Sequence, residues 1–573
     1  LITTGGTFTQ NADLTLGTAG AKIDVSFGGT GGTLDGAGTL TLGGGTTLAV
    51  NAGGTVTIDS IDNSGEIIAD AARFTNDGNF VNNAGATFEL ANDTRMFGAG
   101  TMTNSGDILV TASLSNTISV TEFINQSGGL VDVSGGANLN FGGAGTNAAG
   151  GIITLNADAV GQANLSLQGN FVNNGLIEQS GATNTASIFT AFGGSLTNNG
   201  TLLVNNTGSF NDLGGDVQNN GLYSIQTVGE YFANGGTFTN AGTVDIGATG
   251  TFFANTGAGG DFINTAAGTI NLNSGGIFQT EFAAGSVINN GVLNAGTGTL
   301  NIASASTFTQ NVDVTFGAGS SITLASLNNG GTLAGTGTVT INSGAAINFQ
   351  TGGVLAADVI NQGALNSSNG TLTIDSTVIN QANGSIDLVG SSTLTGSGTI
   401  VNQGTSGITL QNDTIDLTFV QSSAAAGTAT LGGVLNIDGA LVFESGSQID
   451  LDTFGAVTTT GTGTIDNSTT LQLSSDQIGI GHFINRGFVQ LNFNGTITAD
   501  TFDNVTGATF RAEDIPNRVV MTNNGTFTND GLIQINGAHT LTFQDGVLAN
   551  AGAIDIGPGN AGVLDVVGGT LSM

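Results

Sequence analysis

The sequence predicts an all-β fold: a single long right-handed parallel β-helix (β-solenoid), with about 20–22 residues per coil and roughly 27 coils. Three features of the 573 residues predict it. The composition favours strands and tight bends, an Asn-Gly motif recurs at nearly constant spacing, and apolar residues alternate with polar ones. Together they indicate a repeat protein with one stacked core.

The composition is that of a β-protein with many bends. The chain has 97 Gly and only 2 Pro, and it lacks both Cys and Trp. Hydrophobic residues make up 39% and include 32 Phe, which is enough to build a core and argues against disorder. Val, Ile, Thr and Phe favour strands, while Gly and Asn favour bends. Without cysteine, disulfides, thiolate metal sites and a cysteine nucleophile are excluded.

The charge balance excludes two classes of partner. There are 41 acidic and 6 basic residues, which give a net charge of −35 at pH 7. Nucleic-acid binding needs clustered lysines and arginines, and anionic lipid surfaces need them too. No apolar run approaches the roughly 18 residues of a membrane-spanning helix. We therefore expect neither nucleic acid as a partner nor direct membrane insertion.

The repeated motif is an apolar residue, a variable residue, Asn, one or two small residues, Gly and then a strand. Examples are MTNSGDILV (102–110), LTNNGTLLV (196–204), FTNAGTVDI (238–246) and FINRGFVQL (483–491). The anchors Asn198, Asn219 and Asn240 are 21 residues apart, and other intervals scatter around that value. The chain length divided by this period gives the predicted coil count.

We expect the anchor asparagines to lie at corners of the coil. Asn tolerates left-handed backbone angles, and its amide can pair with the Asn of the next coil. The predicted structural corner asparagines are Asn82, Asn104, Asn125, Asn173, Asn198, Asn219, Asn240, Asn264, Asn289, Asn361, Asn485, Asn504, Asn523 and Asn550.

Strand alternation and a second motif indicate how the coils stack. In Thr243–Val244–Asp245–Ile246, Val and Ile point to one side and Asp to the other. Gly-x-Gly-Thr before an apolar residue occurs in GAGTLTL (36–42), GTGTLNI (296–302), GTGTVTI (335–341), GSGTIVN (396–402) and GTGTIDN (461–467). A three-sided coil buries its apolar face only against neighbouring coils, so we expect parallel strands about 4.8 Å apart. The right-handed bias of parallel crossovers sets the predicted hand.

The domain organisation follows from the uniform residue usage. We expect one continuous β-solenoid over residues 1–573, a processed product or segment of a longer exported chain, because strand-like patterns run from Leu1 to Met573. Neither end has a polar cap, and a bare sheet edge recruits other strands. Self-association of copies, end to end or lateral, is therefore an expected partnership.

The Asn-Gly strand repeats and the Gly-x-Gly-Thr motifs together resemble the passenger regions of autotransporter adhesins and filamentous-haemagglutinin-like exoproteins. The resemblance covers nearly the whole chain and concerns a repeat style. It implies a right-handed β-helix on the outer surface of, or secreted by, a Gram-negative-type bacterium. It also implies adhesive, fibrous or matrix roles, with a host or matrix glycan or protein as a partner.

Candidates for catalysis or metal binding are few. Only His482 and His539 are present, and we predict no catalytic and no cofactor-binding residue. Asp450 and Asp452 in QIDLD (448–452) lie two apart and share a strand side, so they are the candidate metal ligands. The alternatives are two solvated acids or the carboxylate pair of a glycoside hydrolase. Ca²⁺ bound loosely by acidic faces is the only ion expected.

One stretch concentrates ionisable side chains. His482, Arg486, Arg511, Asp514 and Arg518 lie within 37 residues of a chain that has few cations elsewhere. A local salt-bridge cluster, a contact site for a partner and a catalytic site are all consistent with this pattern. We name these five residues the predicted contact cluster.

The function predicted is that of an extracellular structural or adhesive β-solenoid of a bacterial cell surface, which forms or decorates fibres or matrix. The alternatives are a polysaccharide-active β-helix enzyme (lyase or hydrolase) and a passive stalk that presents another domain. An enzyme of that kind needs aromatic sugar platforms, and the chain has no Trp and 2 Tyr. The prediction is therefore that the chain is not an enzyme.

Overall fold

The computed structural model describes residues 1–3, 5–27, 31–112, 114–157, 161–181, 186–190, 194–205, 209–212, 215–226, 230–233, 236–255, 260–281, 286–303, 306–324, 331–349, 352–381, 383–404, 408–411, 413–422, 428–432, 434–445, 448–450, 458–474, 476–513, 517–536, 539–557 and 562–573. These residues form strands, turns and bends. Among them there is no helix with the length and apolar character needed to span a membrane.

The chain forms two compact units, Leu1–Leu300 and Asn301–Met573. In each unit, parallel strands stack coil upon coil around a buried core, so the all-β solenoid prediction is confirmed. Each coil has three faces. We call the strands that follow the buried corner residue the first face, and the next strands the second face. The strands that end at the corner residue form the third face.

In unit 1 the first face is a 14-stranded sheet. Its strands are Ile2–Thr3, Lys22–Phe27, Thr47–Val50, Glu66–Asp70, Thr87–Ala91, Asp107–Thr111, Leu130–Ser134, Ile152–Ala157, Leu176–Gly181, Thr201–Val204, Leu222–Ile225, Thr243–Ile246, Thr269–Leu272 and Val292–Asn294.

The second face of unit 1 consists of Thr7–Thr9, Arg73–Thr75, Asn138–Phe141, Ala163–Leu167, Ala186–Thr190, Ser209–Asp212, Glu230–Ala233, Thr251–Asn255 and Ile277–Glu281. The third face consists of Leu14–Leu16, Asn79–Asn82, Ala144–Asn147, Asn170–Asn173, Ser195–Asn198, Asp216–Asn219, Phe238–Asn240, Phe262–Asn264 and Val287–Asn289. Longer strands bend from the second face into the third: Thr33–Leu42, Thr55–Asn63, Arg95–Asn104 and Ser115–Asn125. The strand Thr299–Ile302 contains the boundary between the units.

Unit 2 repeats this plan. Its first face consists of Ser321–Leu324, Ala346–Phe349, Ile408–Gln411, Thr428–Gly432 and Gln448–Asp450, and of a five-stranded sheet formed by Thr470–Ser474, Phe488–Asn492, Thr509–Ala512, Leu532–Ile535 and Ala553–Ile556. The second face consists of Thr307–Gln310, Thr332–Ala334, Gly352–Ala356, Val434–Ile437, Thr458–Thr460, Thr540–Gln544 and Val563–Val567.

The third face of unit 2 consists of Val314–Phe316, Val339–Ile341, Val359–Asn361, Thr377–Asn380, Ala440–Phe443, Thr464–Asn467, Val547–Asn550 and Thr570–Ser572. Strands that contribute to more than one face are Ala364–Ile374, Ser385–Asn402, Thr414–Gln421, Gln477–Asn485, Thr496–Asn504 and Asn517–Asn529.

The core is built by strand alternation. In Thr243–Ile246 the residues Val244 and Ile246 are buried, and Thr243 and Asp245 between them are half-buried on the outside. Phenylalanines stack between coils: the rings of Phe238 and Phe262 are 5.2 Å apart and 7° from parallel in unit 1. A buried side chain of this size stabilises the fold by about 1.5–3 kcal/mol, and a ring pair adds about 0.5–1.5 kcal/mol. The repeated coil is therefore held by apolar burial between neighbours.

Four of the five Gly-x-Gly-Thr motifs named above, those that begin at Gly36, Gly335, Gly396 and Gly461, mark the corner between the second and third faces, and the fifth, at 296–302, follows the first-face strand Val292–Asn294. The first kind of corner is also seen at Gly98 and Gly100. At Gly98, φ is 142°, and a Cβ would lie 1.9 Å from the carbonyl oxygen of Asn76 in the preceding coil. At Gly100 it would lie 1.7 Å from the carbonyl oxygen of Gly78. Both contacts are impossible for a real side chain. The motif therefore exists because two coils approach backbone to backbone at this corner.

The predicted coil count is too high. The strands stack as about 21 turns, where the sequence predicted roughly 27. Coil length varies: corner residues in adjacent coils are 18 residues apart between Asn467 and Asn485 but 26 apart between Asn147 and Asn173. Residues inserted at the corners lengthen a coil without adding a turn. Dividing the chain length by one fixed period ignores these insertions and therefore gives too many coils.

Candidate functional site

The corner between the third and first faces is occupied by buried amides. In unit 1 each corner Asn from Asn63 to Asn264 donates from Nδ2 to Oδ1 of the corner Asn one coil further on, at 2.5–2.8 Å. We call this run the amide ladder of unit 1, and its members are Asn63, Asn82, Asn104, Asn125, Asn147, Asn173, Asn198, Asn219, Asn240, Asn264 and Asn289. Each is almost fully buried, and most also donate to a backbone carbonyl, as Asn198 does to Leu222.

Unit 2 has two shorter ladders. The first runs through Asn361, Asn380, Asn402 and Gln421, and the second through Asn467, Asn485, Asn504, Asn529 and Asn550. Between them Phe443 holds the same register position, as the cross-strand partner of both Gln421 and Asn467. These amides are satisfied inside the wall of the solenoid, so their role is structural.

One predicted corner asparagine lies elsewhere. Asn523 is exposed, has φ of 55°, and donates to Asp500 Oδ1 at 2.7 Å. The ladder position in this coil belongs to Asn529, because Asn504 and Asn529 are cross-strand partners. The segment MTNNGTFTNDG (521–531) carries two Asn-Gly-like matches, and only the register of the strands distinguishes them.

Asn147 is a ladder member that lacks the full sequence motif. Asn147 is preceded at the inward position by Gly145 and not by an apolar residue. A Cβ on Gly145 would lie 2.5 Å from the Phe171 ring, so that ring, one coil further on, occupies the missing side chain's space. The other ladder members outside the predicted set are Asn63, Asn380, Asn402, Gln421, Asn467 and Asn529.

Aspartates line the corner between the second and third faces. A carboxylate in one coil accepts a hydrogen bond from a backbone N–H in the next, as Asp358 does from Thr377 at 2.9 Å. The same arrangement involves Asp13, Asp77, Asp216, Asp261, Asp313, Asp375 and Asp438. Much of the acidity at this corner is therefore explained by backbone N–H groups that the sheet ladder leaves free at the bend.

The residues of the predicted contact cluster bind local partners on different faces. His482 Nε2 lies 2.9 Å from Asp503 Oδ2, Arg486 pairs with Asp466 at 3.0 Å, and Arg511 pairs with Glu513 at 2.7 Å. Arg518 donates to Gln544 Oε1. His482 and Arg486 belong to the third face and its corner, Arg511 to the first face, and Arg518 to the second.

Asp452 and Asp514 lie outside the described residues, and for Asp450 only the backbone of the strand Gln448–Asp450 is described. Among the described residues, no group of three or more His, Asp or Glu side chains is arranged to hold a metal ion.

Among the described residues of unit 1, the most deeply buried ionisable side chain is Tyr223, which is 1% exposed. Its ring packs against Phe238 and Phe252, with centroids 6.1 and 6.0 Å away. Burial raises the pKa of the Tyr223 phenol, so it stays neutral at physiological pH. Its place in the core makes it a packing residue.

An open concavity of unit 2 lies at the corner of the second and third faces. We call it the corner groove. It has a volume of about 480 Å³ and is lined by Gly461, Thr462, Gly479, Ile480, Gly481, Thr498, Asp500, Thr522 and Asn523. Its volume falls within the range of small-molecule sites, about 300–1,000 Å³.

An insertion forms one wall of the corner groove. Ala499 pairs with Met521 and Thr501 with Thr526, so residues 522–525 stand opposite Asp500 alone. Asn523 and Asn524 both adopt φ of 55°, which makes the extra residues a tight projecting turn. One coil earlier, Gly481 takes the corner position without a side chain. The groove is the space between the corner at Gly481, which carries no side chain, and the projecting turn of residues 522–525.

The polar groups of the corner groove converge on one carboxylate. Thr522 Oγ1 and Asn523 Nδ2 both donate to Asp500 Oδ1. Thr462 is held at the other side, where its N–H donates to Asp438 at 3.2 Å. No lysine or arginine lines the groove, so its local charge is negative.

The stacked parallel strands define a β-solenoid, and the chain is a β-helical protein similar to an autotransporter adhesin. It is 28% identical over 347 residues to the adhesin BmaC autotransporter of Brucella suis biovar 1 (strain 1330). The match covers 54% of this chain and 9% of that protein, so the chain spans a small part of this relative.

The other comparisons are less informative. No family model matches the chain. A crystal structure of a TibC-catalyzed hyper-glycosylated TibA55-350 fragment aligns with 65% of this chain and 100% of that fragment, at 13% identity and a TM-score of 0.25. A superposition at that level does not define a shared fold.

Proposed function

We propose that the chain is an adhesive β-solenoid, secreted or displayed at the surface of a Gram-negative bacterium, which binds host or surface targets through its outer faces. The observation that carries the proposal is the 28% identity over 347 residues to an autotransporter named as an adhesin. The stacked coils support it, because outward side chains of adjacent coils align, as Thr197, Gln218 and Thr239 do, and such polar rows suit contacts with extended targets.

Adhesion is tested with beads coated with the purified chain and applied to cultured epithelial cells. The proposal predicts saturable retention of the beads that soluble chain competes away. Albumin-coated beads are the control, and equal retention of both bead types contradicts adhesion.

Polysaccharide cleavage is the competing function. No specific observation among the described residues favours it, and the relative named above is an adhesin. Incubating the chain with a panel of neutral and acidic polysaccharides and measuring new reducing ends or unsaturated products tests this alternative. The proposal predicts no product above the buffer control.

Self-association into fibres or matrix is the finer part of the proposal. The third face of unit 2 carries an uncharged row of half-buried aliphatic side chains, Ile360, Ile379, Val401, Val420 and Val442. In a chain of net charge −35, two copies meet here without opposing carboxylates along this row. Electron microscopy with and without Ca²⁺ is expected to show filaments or sheets, and isolated particles under both conditions contradict this part.

A further inference from the structure

We propose that the corner groove of unit 2 binds an uncharged carbohydrate. This inference rests on the proposed adhesive function and names the ligand chemistry of one site within it. The groove is concave and of small-molecule size, and its wall is made by residues 522–525, which exceed the partner coil by three. These extra residues add no core, so they shape a surface.

The lining selects for hydroxyl groups. Thr462, Thr498 and Thr522 offer hydroxyls, Asn523 an amide and Asp500 a carboxylate, with Ile480 as the one large apolar side chain. Sugar hydroxyls both donate and accept, so they match a mixed set of this kind. Thr522 and Asn523 already donate to Asp500 Oδ1, so a mainly apolar ligand would chiefly cover Asp500 Oδ2 without a hydrogen bond, at a cost of about 1–3 kcal/mol or more.

Charge excludes acidic sugars. The lining includes one carboxylate and no cation, and the whole chain carries −35. Sialylated, sulfated or uronic ligands would meet repulsion without an arginine or lysine to offset it. A neutral ligand instead gains a charge-assisted hydrogen bond from its hydroxyl to Asp500, worth about 1.5–3 kcal/mol.

The carboxylate is held in place before a ligand arrives. Both the Thr522 and the Asn523 bonds end on Oδ1 of Asp500. Among these contacts Oδ2 is unused and keeps its capacity to accept from a ligand. A group fixed in this way binds without losing further side-chain freedom, which favours affinity.

The experiment uses the full chain on an array of neutral, sialylated and sulfated glycans, followed by saturation-transfer NMR with the neutral glycans that bind. Thr498→Trp fills the groove from an outward-facing position and is expected to weaken binding at least tenfold. Asp500→Asn removes the charge and is expected to weaken it about tenfold.

Matched controls separate binding from folding. Thr373→Trp places the same side chain on the second face of another coil, and Asp358→Asn removes another corner carboxylate. Both are expected to bind neutral glycans as the unaltered chain does, and circular dichroism checks that all four variants are folded.

Three results overturn the inference: no neutral glycan binds, only anionic glycans bind, or Thr498→Trp binds as well as Thr373→Trp. The adhesive function is separable from it. If Thr498→Trp beads lose glycan binding and cell retention together, both proposals are supported. If retention is seen without neutral-glycan binding, adhesion stands and the groove proposal fails.

Discussion

The two units fill the same buried corner in different ways. Unit 1 keeps one unbroken amide ladder from Asn63 to Asn289, whereas unit 2 has two ladders that Phe443 separates. An amide inside the ladder depends on both neighbours, because each one supplies a donor or an acceptor. The side chain of Phe443 has no polar group, so it needs no hydrogen-bond partner at this corner and only has to fit the available space. The corner therefore requires either a complete chain of hydrogen bonds or none at that coil.

Ladder ends show how the change is accommodated. At the start of the second ladder of unit 2, the Thr469 N–H donates to Asn467 Oδ1 at 3.3 Å. At the start of the unit 1 ladder, the Gly65 N–H donates to Asn63 Oδ1 at 3.0 Å. A backbone N–H next to the corner thus donates to the Oδ1 of the first Asn in each of these ladders. A ladder can therefore begin without leaving that buried oxygen unpaired.

The largest expected effect is in the middle of the unit 1 ladder. Asn198→Leu leaves one of the two N–H groups of Asn173 Nδ2 and the Oδ1 of Asn219 without their ladder partners, and each buried unpaired group costs about 1–3 kcal/mol. Urea unfolding should therefore show a loss of about 2–6 kcal/mol in the free energy of unfolding. Thr197→Leu, on the outside of the same strand, is the control and should change it by less than about 0.5 kcal/mol.

The interruption in unit 2 gives a smaller effect. Phe443→Asn lowers the free energy of unfolding by about 1.5–3 kcal/mol through lost apolar burial, and the cavity that remains lowers it further. New hydrogen bonds to Gln421 and Asn467 offset this by about 1 kcal/mol each. We expect a net loss of about 1–3 kcal/mol by the same urea titration. Phe443→Leu should lose less. A gain in stability for Phe443→Asn would show that the ladder, not packing, governs this corner.

The acidic corner gives a smaller effect again. Asp358→Ala removes the acceptor for the Thr377 N–H and should lower stability by about 0.5–1.5 kcal/mol in thermal unfolding. Asp387→Ala removes an equal charge from an exposed strand position and should change it by less than about 0.5 kcal/mol. Equal effects of the two substitutions would mean that only net charge matters.

The smallest effect is expected for the exposed polar pairs His482–Asp503 and Arg486–Asp466. His482→Thr and Arg486→Gln remove pairs whose side chains are 24–49% exposed, and exposed pairs contribute about 0–1 kcal/mol. Thermal unfolding at low and high salt should give nearly the same difference from the unaltered chain. A loss above about 2 kcal/mol would indicate a cooperative cluster.

The sequence predicts the fold well because each coil repeats the same local rules. Alternation and the Asn-Gly motif identify the stacked strands, and the Gly-x-Gly-Thr motif marks a real close approach of backbones. The prediction of corner residues fails at positions whose role depends on a side chain or on the strand register in an adjacent coil. Asn147 depends on the Phe171 ring, and the choice between Asn523 and Asn529 depends on strand register.

The candidate site was harder to predict than the fold. The groove comes from a mismatch between two coils, with Gly481 on one side and residues 522–525 on the other, and neither segment is unusual alone. The corner aspartates were missed for a similar reason, since each bonds a backbone group about 20 residues away. Both features belong to pairs of coils and not to a motif.

The register of adjacent coils is the central claim, and the absence of cysteine from the chain allows a direct test. Thr197 and Gln218 are cross-strand partners, and Thr239 is the partner of Gln218 one coil further on. Parallel neighbours lie about 4.8 Å apart, within disulfide reach, and residues two coils apart lie about 10 Å apart. Under mild oxidation, Thr197→Cys with Gln218→Cys should form an intramolecular disulfide, and Thr197→Cys with Thr239→Cys should not. Efficient bridging of the second pair, or none of the first, would contradict the stacked-coil structure.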